Sequence, residues 1–397
     1  MRILLIHVAA LSLLASALPA QQAAPRKHER RWEVNGLPAL NFDADEGFGY
    51  GAVIEVYNYG DGNVEPYAFT IQPNVFFTTG GRRDVSLFVD APRVIPGGWR
   101  ITGSLSREQQ FSTPYYGRGN ATTHDEALET APNDYYYRFG QTKRVFSLDI
   151  QKKLPRIPLR VLAGSRISTV KLDPTPFDSG STLLASQLAG STEPLSGWWN
   201  AVRGGVVWDS RNREVGTTRG VWSDALVQRY DRALGSERSY TRWTVTDRRY
   251  FPVGGSVVYA QRLLLQGVNG DVPVHDLTSI QGSFKGQDGL GGSKSVRGLP
   301  RNRYQGKGLF LANAELRWRA ADFRIRRGPA HLVFNAFVDG GRVWEEKVDL
   351  SSIVSDLHHG YGGGVRLGMG GSFVVAVDVG HSSQSTAPVY IGLGYLY

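Results

Sequence analysis

Residues 387–397 read APVYIGLGYLY. In an extended chain, Val389, Ile391, Leu393, Tyr395 and Tyr397 share one face, while Tyr390, Gly392, Gly394 and Leu396 share the other. Successive side chains of a strand point to opposite faces, so the stretch reads as a strand with two different surroundings. Working backwards, Phe373, Val375, Val377 and Val379 alternate with Val374, Ala376, Asp378 and Gly380. In residues 361–369, Tyr361, Val365, Leu367 and Met369 oppose Gly362, Gly364, Arg366 and Gly368. Each segment spans about 10 residues, with one apolar face and one small or charged face, the length and pattern of a strand crossing a bilayer.

A soluble β-sandwich alternates too, so the second face decides. Here it carries charge flanked by glycine, and Tyr361, Trp318, Trp344, Tyr395 and Tyr397 are placed to form aromatic girdles. The fold class expected is therefore all-β, a transmembrane antiparallel β-barrel. Segments of this kind recur at 47–59, 66–79, 83–94, 98–111, 134–153, 157–171, 197–212 and 220–230. They continue at 237–252, 255–267, 274–282, 308–319, 331–344, 360–369, 372–381 and 389–397. The count is about 16, an even number as single-chain bacterial barrels have. Tight turns such as 369–371 and 253–255 are expected on the periplasmic side, and the longer polar connections 112–133 and 282–307 on the outside.

The opening Met1-Arg2 and the apolar run of residues 3–18 read as a secretory signal peptide over residues 1–20, cleaved after Ala17 or Ala20. A membrane anchor is the competing reading; the run is short and broken by His7, Ser12 and Ser16. Residues 21–40 are expected to be a short periplasmic segment and 41–397 the barrel. No later stretch approaches the ~18 consecutive apolar residues of a spanning helix. The chain has no cysteine, which excludes disulfide scaffolds and thiolate chemistry. Its formal charge of +9 does not call for nucleic acid, because no basic–aromatic recognition motif accompanies it. Arg and Lys at an outer-leaflet rim would instead meet lipopolysaccharide phosphates, and lumenal Arg203, Arg317 and Arg366 would favour anions if the barrel conducts.

Three separated stretches carry a resemblance. They are WDSRNREVGTTRGVW (208–222), residues 291–318 with the tripeptide Val296-Arg297-Gly298, and FVDGGRVW (337–344) with Phe337, Asp339 and Gly341 in an F-x-D-x-G pattern. Together they resemble the BamA/TamA-type bacterial surface-antigen barrel family, the outer-membrane assembly and translocation barrels; the opening of residues 37–57 and the aromatic end, Tyr395 and Tyr397, also fit. The resemblance implies that a long loop between strands 11 and 12, here 282–307, folds into the lumen. It also implies that Arg297 pairs with Asp339 on strand 13. Strand parity puts Asn313, Glu315 and Arg317 inside with Asp339, so Arg297 would meet two carboxylates. Gly340-Gly341 would leave space for the loop backbone. Assembly-type members carry periplasmic POTRA domains; the short stretch before the first strand is expected to hold none. In a lumen the Arg–Asp pair would equally serve as plain charge satisfaction.

The family reading implies insertion or translocation of outer-membrane proteins, with unfolded outer-membrane proteins or periplasmic proteins as partners. The mechanism would be opening of the seam between the first and last strands, which residues 47–51 (GFGYG) and Gly392 and Gly394 would form; glycine there would equally permit curvature. The alternative is a structural or weakly conducting barrel. An enzyme is not expected: no G-x-S-x-G elbow is present, GLGGSKS (289–295) fails the phosphate-loop pattern, and H-E-x-x-H is absent. His358-His359 lacks a third ligand at metal spacing. No catalytic, metal or cofactor residues are assigned.

Overall fold

The computed structural model describes residues 31–397 except 44–46, 63, 130–133, 179, 326–327 and 370–371. The expected signal peptide and most of the expected periplasmic segment lie outside the described residues. Among the described residues, sixteen strands follow one another in a single antiparallel ladder, each bonded to the next in sequence. The first eight are β1 (Trp32–Asp43), β2 (Gly47–Asn58), β3 (Phe69–Thr78), β4 (Arg83–Ala91), β5 (Trp99–Pro114), β6 (Arg138–Lys153), β7 (Leu159–Asp173) and β8 (Ala201–Asp209). The second eight are β9 (Gly220–Tyr230), β10 (Tyr240–Gly254), β11 (Val257–Gly270), β12 (Gly308–Ile325), β13 (Gly328–Trp344), β14 (His358–Met369), β15 (Phe373–His381) and β16 (Val389–Leu393). A three-residue strip, Ser196–Trp198, prolongs the β8 line against β7.

Its two faces are the reverse of those of a water-soluble protein. On β13, Phe334 and Val338 are 41% and 60% exposed, while Asn335, Phe337 and Asp339 are 7%, 3% and 0% exposed. Arg242, Arg262, Arg297 and Arg366 are among the largest fully enclosed side chains, and Leu105, Ile150, Val161, Leu316 and Ile391 stand outside. Charge inside and hydrocarbon outside is the arrangement that lipid imposes on a barrel wall. No helix among the described residues is long and apolar enough to cross a membrane. The connections after odd-numbered strands form one rim and include the long segments 115–137, 174–200, 271–307 and 345–357; the other rim has the shorter ones.

Two expected boundaries change and offset each other. Residues 32–43 form β1, paired with β2 along its whole length from Trp32↔Asn58 to Asp43↔Gly47. The barrel therefore begins at Trp32 rather than at residue 41, and 47–58 is the second strand. Residues 274–282 are not a wall strand. Val274–Asp276 is a 3₁₀ turn and Ser279–Ile280 pairs only with Gln287–Asp288, so the loop between β11 and β12 spans 271–307. The GFGYG glycines accordingly do not lie at the seam. A Cβ on Gly49 would meet the Phe76 ring at 2.5 Å and one on Gly51 the Val75 carbonyl at 2.1 Å, both on β3.

The chain end departs from its own alternation. The β16 ladder against β15 stops at Leu393, Gly394 adopts a φ of +78°, and residues 395–397 turn inward. Leu396 and Tyr397 pack with Tyr250, Val258 and Ala260. The Tyr397 hydroxyl donates to the Ala260 carbonyl at 3.0 Å. Tyr395 and Tyr397 thus belong to the lumen, beside the Arg317 guanidinium, and not to a lipid-facing girdle. Trp344 is also covered, its Nε1 donating to Ser352 Oγ at 3.0 Å; Tyr361 and Trp318 do face outward.

Candidate functional site

The loop 271–307 enters the lumen and brings Arg297, with no exposed surface, against three strands. Its Nε and Nη2 donate to the two oxygens of Asp339 on β13 at 2.7 and 2.9 Å, and its backbone N–H donates to Oδ2 at 3.1 Å. Nη1 reaches Glu315 on β12 at 2.7 Å and Asp378 on β15 at 3.3 Å. The guanidinium lies 3.4 Å over the Phe337 ring. An arginine fits such a position because its flat fork meets a carboxylate through two parallel bonds and stacks on an aromatic face.

The carboxylates have further partners. Arg317 Nε donates to Glu315 Oε2 at 2.8 Å, and Arg366 Nη1 and Nη2 donate to Asp378 at 2.8 Å each. Three arginines and three carboxylates therefore form one neutral buried set. Asn313 extends it, donating from Nδ2 to Asp339 Oδ1 and to the Ser295 carbonyl at 2.7 Å each, and accepting from Arg262 Nε at 2.9 Å. A buried ion set of this kind stabilises only when charges balance and lone pairs are filled.

Around the charges the loop is seated by shape. Val296 packs with Leu290, Leu299, Tyr304, Leu311 and Val343 in a buried apolar cluster. Gly298, at φ +103°, donates its N–H to Tyr390 Oη at 3.0 Å, and its carbonyl accepts from Ser382 Oγ at 2.7 Å. The closest backbone approach is at β14 and β15. A Cβ on Gly360 would lie 1.8 Å from the Arg297 carbonyl and one on Gly380 2.8 Å from the Gly298 nitrogen. Gly341 instead faces the Leu290 and Val296 side chains, and Gly340 neighbours His359.

Of the residues singled out in the sequence, Val296, Arg297, Gly298, Phe337, Asp339, Gly341, Glu315 and Arg317 come together at this one place. Asp378, Arg366, Asn313, Tyr390, Gly360 and Gly380 were not assigned to it; the inward parity of Arg366 and Asp378 was the available signal. Arg203 pairs with Asp149, Nε to Oδ1 at 2.6 Å, so Arg203, Arg317 and Arg366 all have carboxylate partners and do not form a free anion path. His358 stacks on Tyr304 at 3.6 Å and its Nε2 meets the Asn120 carbonyl at 2.9 Å. No cluster of metal-ligating side chains occurs among the described residues.

Between the seated loop and the short-turn rim lies a cavity of about 1180 Å³. The β8–β9 turn, within the 208–222 stretch, closes its floor. Glu214 accepts from Arg100 Nη1 at 2.9 Å, and Arg100 is also bidentate to Asp90. Burial alone would raise the Glu214 carboxyl; Arg100 and Arg211 outweigh it and hold the group below its ordinary value.

These features define a sixteen-stranded lipid-facing barrel with an arginine-anchored loop in its lumen. Residues 113–375 match the Omp85 superfamily domain, and the chain belongs to that superfamily. Among solved structures it is similar to BamA from Haemophilus ducreyi lacking POTRA domains 1–3, with a TM-score of 0.55 and 15% identity over 93% of this chain and 69% of that one. It is also similar to CdiB from Escherichia coli, with a TM-score of 0.54 and 15% identity over 95% of this chain and 61% of that one. No curated protein matches the chain in sequence. The protein is an outer-membrane β-barrel of the Omp85 superfamily.

Proposed function

We propose that the barrel assists insertion or translocation of outer-membrane proteins in a Gram-negative outer membrane, by opening between β1 and β16 and without enzyme chemistry. The observation that carries the reading is a mismatch of edges. β1 is 12 residues long and β16 is 5, and the chain beyond β16 turns into the lumen. Most of the outer edge of β1 is therefore left without a strand of β16 alongside it. An edge with free N–H and C=O groups templates an incoming strand. In this reading the Arg297 set keeps the loop and the wall β12–β15 rigid while the seam moves, and the cavity gives room on the periplasmic side.

A second reading is a purely structural barrel, favoured by the charge balance of the buried ion set, three arginines against three carboxylates, which needs no moving part. Reconstitution separates the two. An unfolded outer-membrane protein should fold faster into proteoliposomes holding this chain than into empty ones; equal rates would favour the structural reading.

A further inference from the structure

The outward face of β4–β7 carries an unusual row of cations. Arg83 (β4), Arg107 (β5), Arg144 (β6) and Lys171 (β7) are all exposed. They occupy neighbouring positions in the ladder: Arg83 opposite Gln109, Arg107 directly opposite Arg144, Arg144 opposite Thr169, and Lys171 opposite Thr142. Among the described residues, none of the four has a hydrogen-bond or ion-pair partner. Of the other charges on these strands, Asp173 lies one step beyond Lys171, Arg138 is buried against Glu129, and Lys152 and Lys153 are at the opposite rim. The carboxylate of Asp173 accepts from the Thr175 N–H at 3.1 Å, and Lys152 lies over Trp99 with its Nζ donating to the Gly97 carbonyl at 2.8 Å.

Two like charges directly opposite on a sheet repel, and cations on a lipid-facing wall are tolerated only near the interface. The row sits where that condition holds. Towards the middle of the same strands the outward face is apolar, with Leu105, Phe146, Leu148, Ile150 and Ile167. On the other side lie the connections 79–82, 115–137 and 174–200 of the long-loop rim. A patch with cations spaced across about 15 Å of ladder (strands lie ~4.8 Å apart), above a hydrocarbon belt and without counter-ions among the described residues, lacks a negatively charged partner that is itself amphipathic.

The geometry points to a lipid site: Arg107, Arg144 and Lys171, flanked by Arg83, hold the phosphates of a phosphorylated outer-leaflet glycolipid of the lipopolysaccharide type, its acyl chains lying over Leu105, Phe146 and Ile167. The arginines meet phosphate oxygens through paired N–H donors and the lysine acts as a point charge. The site deepens the reading of the chain as an outer-membrane barrel and rests on the long-loop rim facing outward; it does not depend on the seam.

Native mass spectrometry of the full chain in detergent tests it, with diphosphoryl lipid A, dephosphorylated lipid A and phosphatidylglycerol as probes. The wild type should retain diphosphoryl lipid A in preference to both others. R107Q/R144Q/K171Q should lose about tenfold or more of that retention, the loss expected for even one charge-assisted contact. R229Q, which removes an exposed arginine already bonded to Asp231, should lose none. Should the triple variant fail to fold, R144Q alone suffices. By relieving the Arg107–Arg144 repulsion it should keep or raise the melting temperature in lipid-free detergent while reducing the gain that lipid A confers. Equal retention by wild type and variant, equal retention of the dephosphorylated lipid, or equal retention of phosphatidylglycerol would each overturn the assignment. Client folding in proteoliposomes without lipid A should be unchanged in these variants, so failure here and failure of the insertion reading are distinguishable.

Discussion

Truncating Arg297 to alanine should release the lumen loop, and the charge count sets the size of the effect. The buried ion set holds Arg297, Arg317 and Arg366 against Asp339, Glu315 and Asp378. R297A leaves three carboxylates with two arginines, and D339A leaves three arginines with two carboxylates. Breaking one partner of a buried pair costs about 3–5 kcal/mol, so either single variant should raise the loop-open population by roughly two to three and a half powers of ten. R297A/D339A restores a two-to-two balance and should cost no more than about the larger of the single effects. Limited trypsin digestion reads the open population when opening is fast relative to cleavage, at Lys285, Lys294 and Arg301 within the loop. The wall strands, held by continuous ladders, should remain uncut and migrate as a folded band. R297K should be intermediate, because it keeps the charge and loses the bidentate fork. If the two single effects add in the double variant, with a coupling energy near zero, the pairing does not hold the loop.

Shape should matter as much as charge at two glycines. G360A places a methyl 1.8 Å from the Arg297 carbonyl and should destabilise loop seating by about 1–3 kcal/mol as overpacking does, visible as faster tryptic cutting; G392A, with nothing within 4 Å of the added carbon, should not. Docking of the β8–β9 turn should depend on pH through Glu214. Its carboxyl is held below the ordinary value, so the stabilisation is fully present above about pH 4.5 and is lost as the pH falls through the depressed value. Hydrogen exchange of 210–219 should therefore speed up at about pH 3 relative to about pH 6, beyond the intrinsic pH effect, and E214Q should abolish that step. Removing the Tyr397 ring (Y397A) should free the inward-turned end from Tyr250 and Val258, which protease digestion from the chain end would report as faster trimming of residues 395–397.

Much of the wall was legible because a barrel repeats one rule: parity alone put Glu315, Arg317 and Asp339 on the inner face. What failed did so for local reasons. Residues 32–43 contain Pro38, which argues against a central strand; as the first strand, β1 has one side free of the β2 ladder, where a proline is tolerated. Residues 274–282 place Val274, Leu277 and Ile280 three apart, a spacing that suits the 3₁₀ turn found there and not a strand of period two; Val274 and Leu277 are buried inside the lumen with Trp199 and Tyr240, so apolar content without alternation was not a sign of a wall strand. Because one strand was missed and one added, the total of sixteen survived. Tyr395 and Tyr397 continue the pattern of β16 without interruption; only the left-handed turn at Gly394 and an inner pocket beside Arg317 take them off the wall, and neither is visible in a two-residue period. Asp378 and Arg366 had readable parity, but their joining to Arg297 depends on which strands stand opposite the loop.

The central claim is that the β1–β16 seam opens to admit a client strand, and locking that seam tests it most directly. The chain has no cysteine of its own, so cysteine pairs scanned between Val34–Pro38 and Tyr390–Gly392 can be crosslinked without background. In proteoliposomes, the reduced form should accelerate folding of an outer-membrane client over empty liposomes, the oxidised form should not, and reductant should restore the rate. A crosslinked barrel that folds its client as fast as the reduced one would contradict the account.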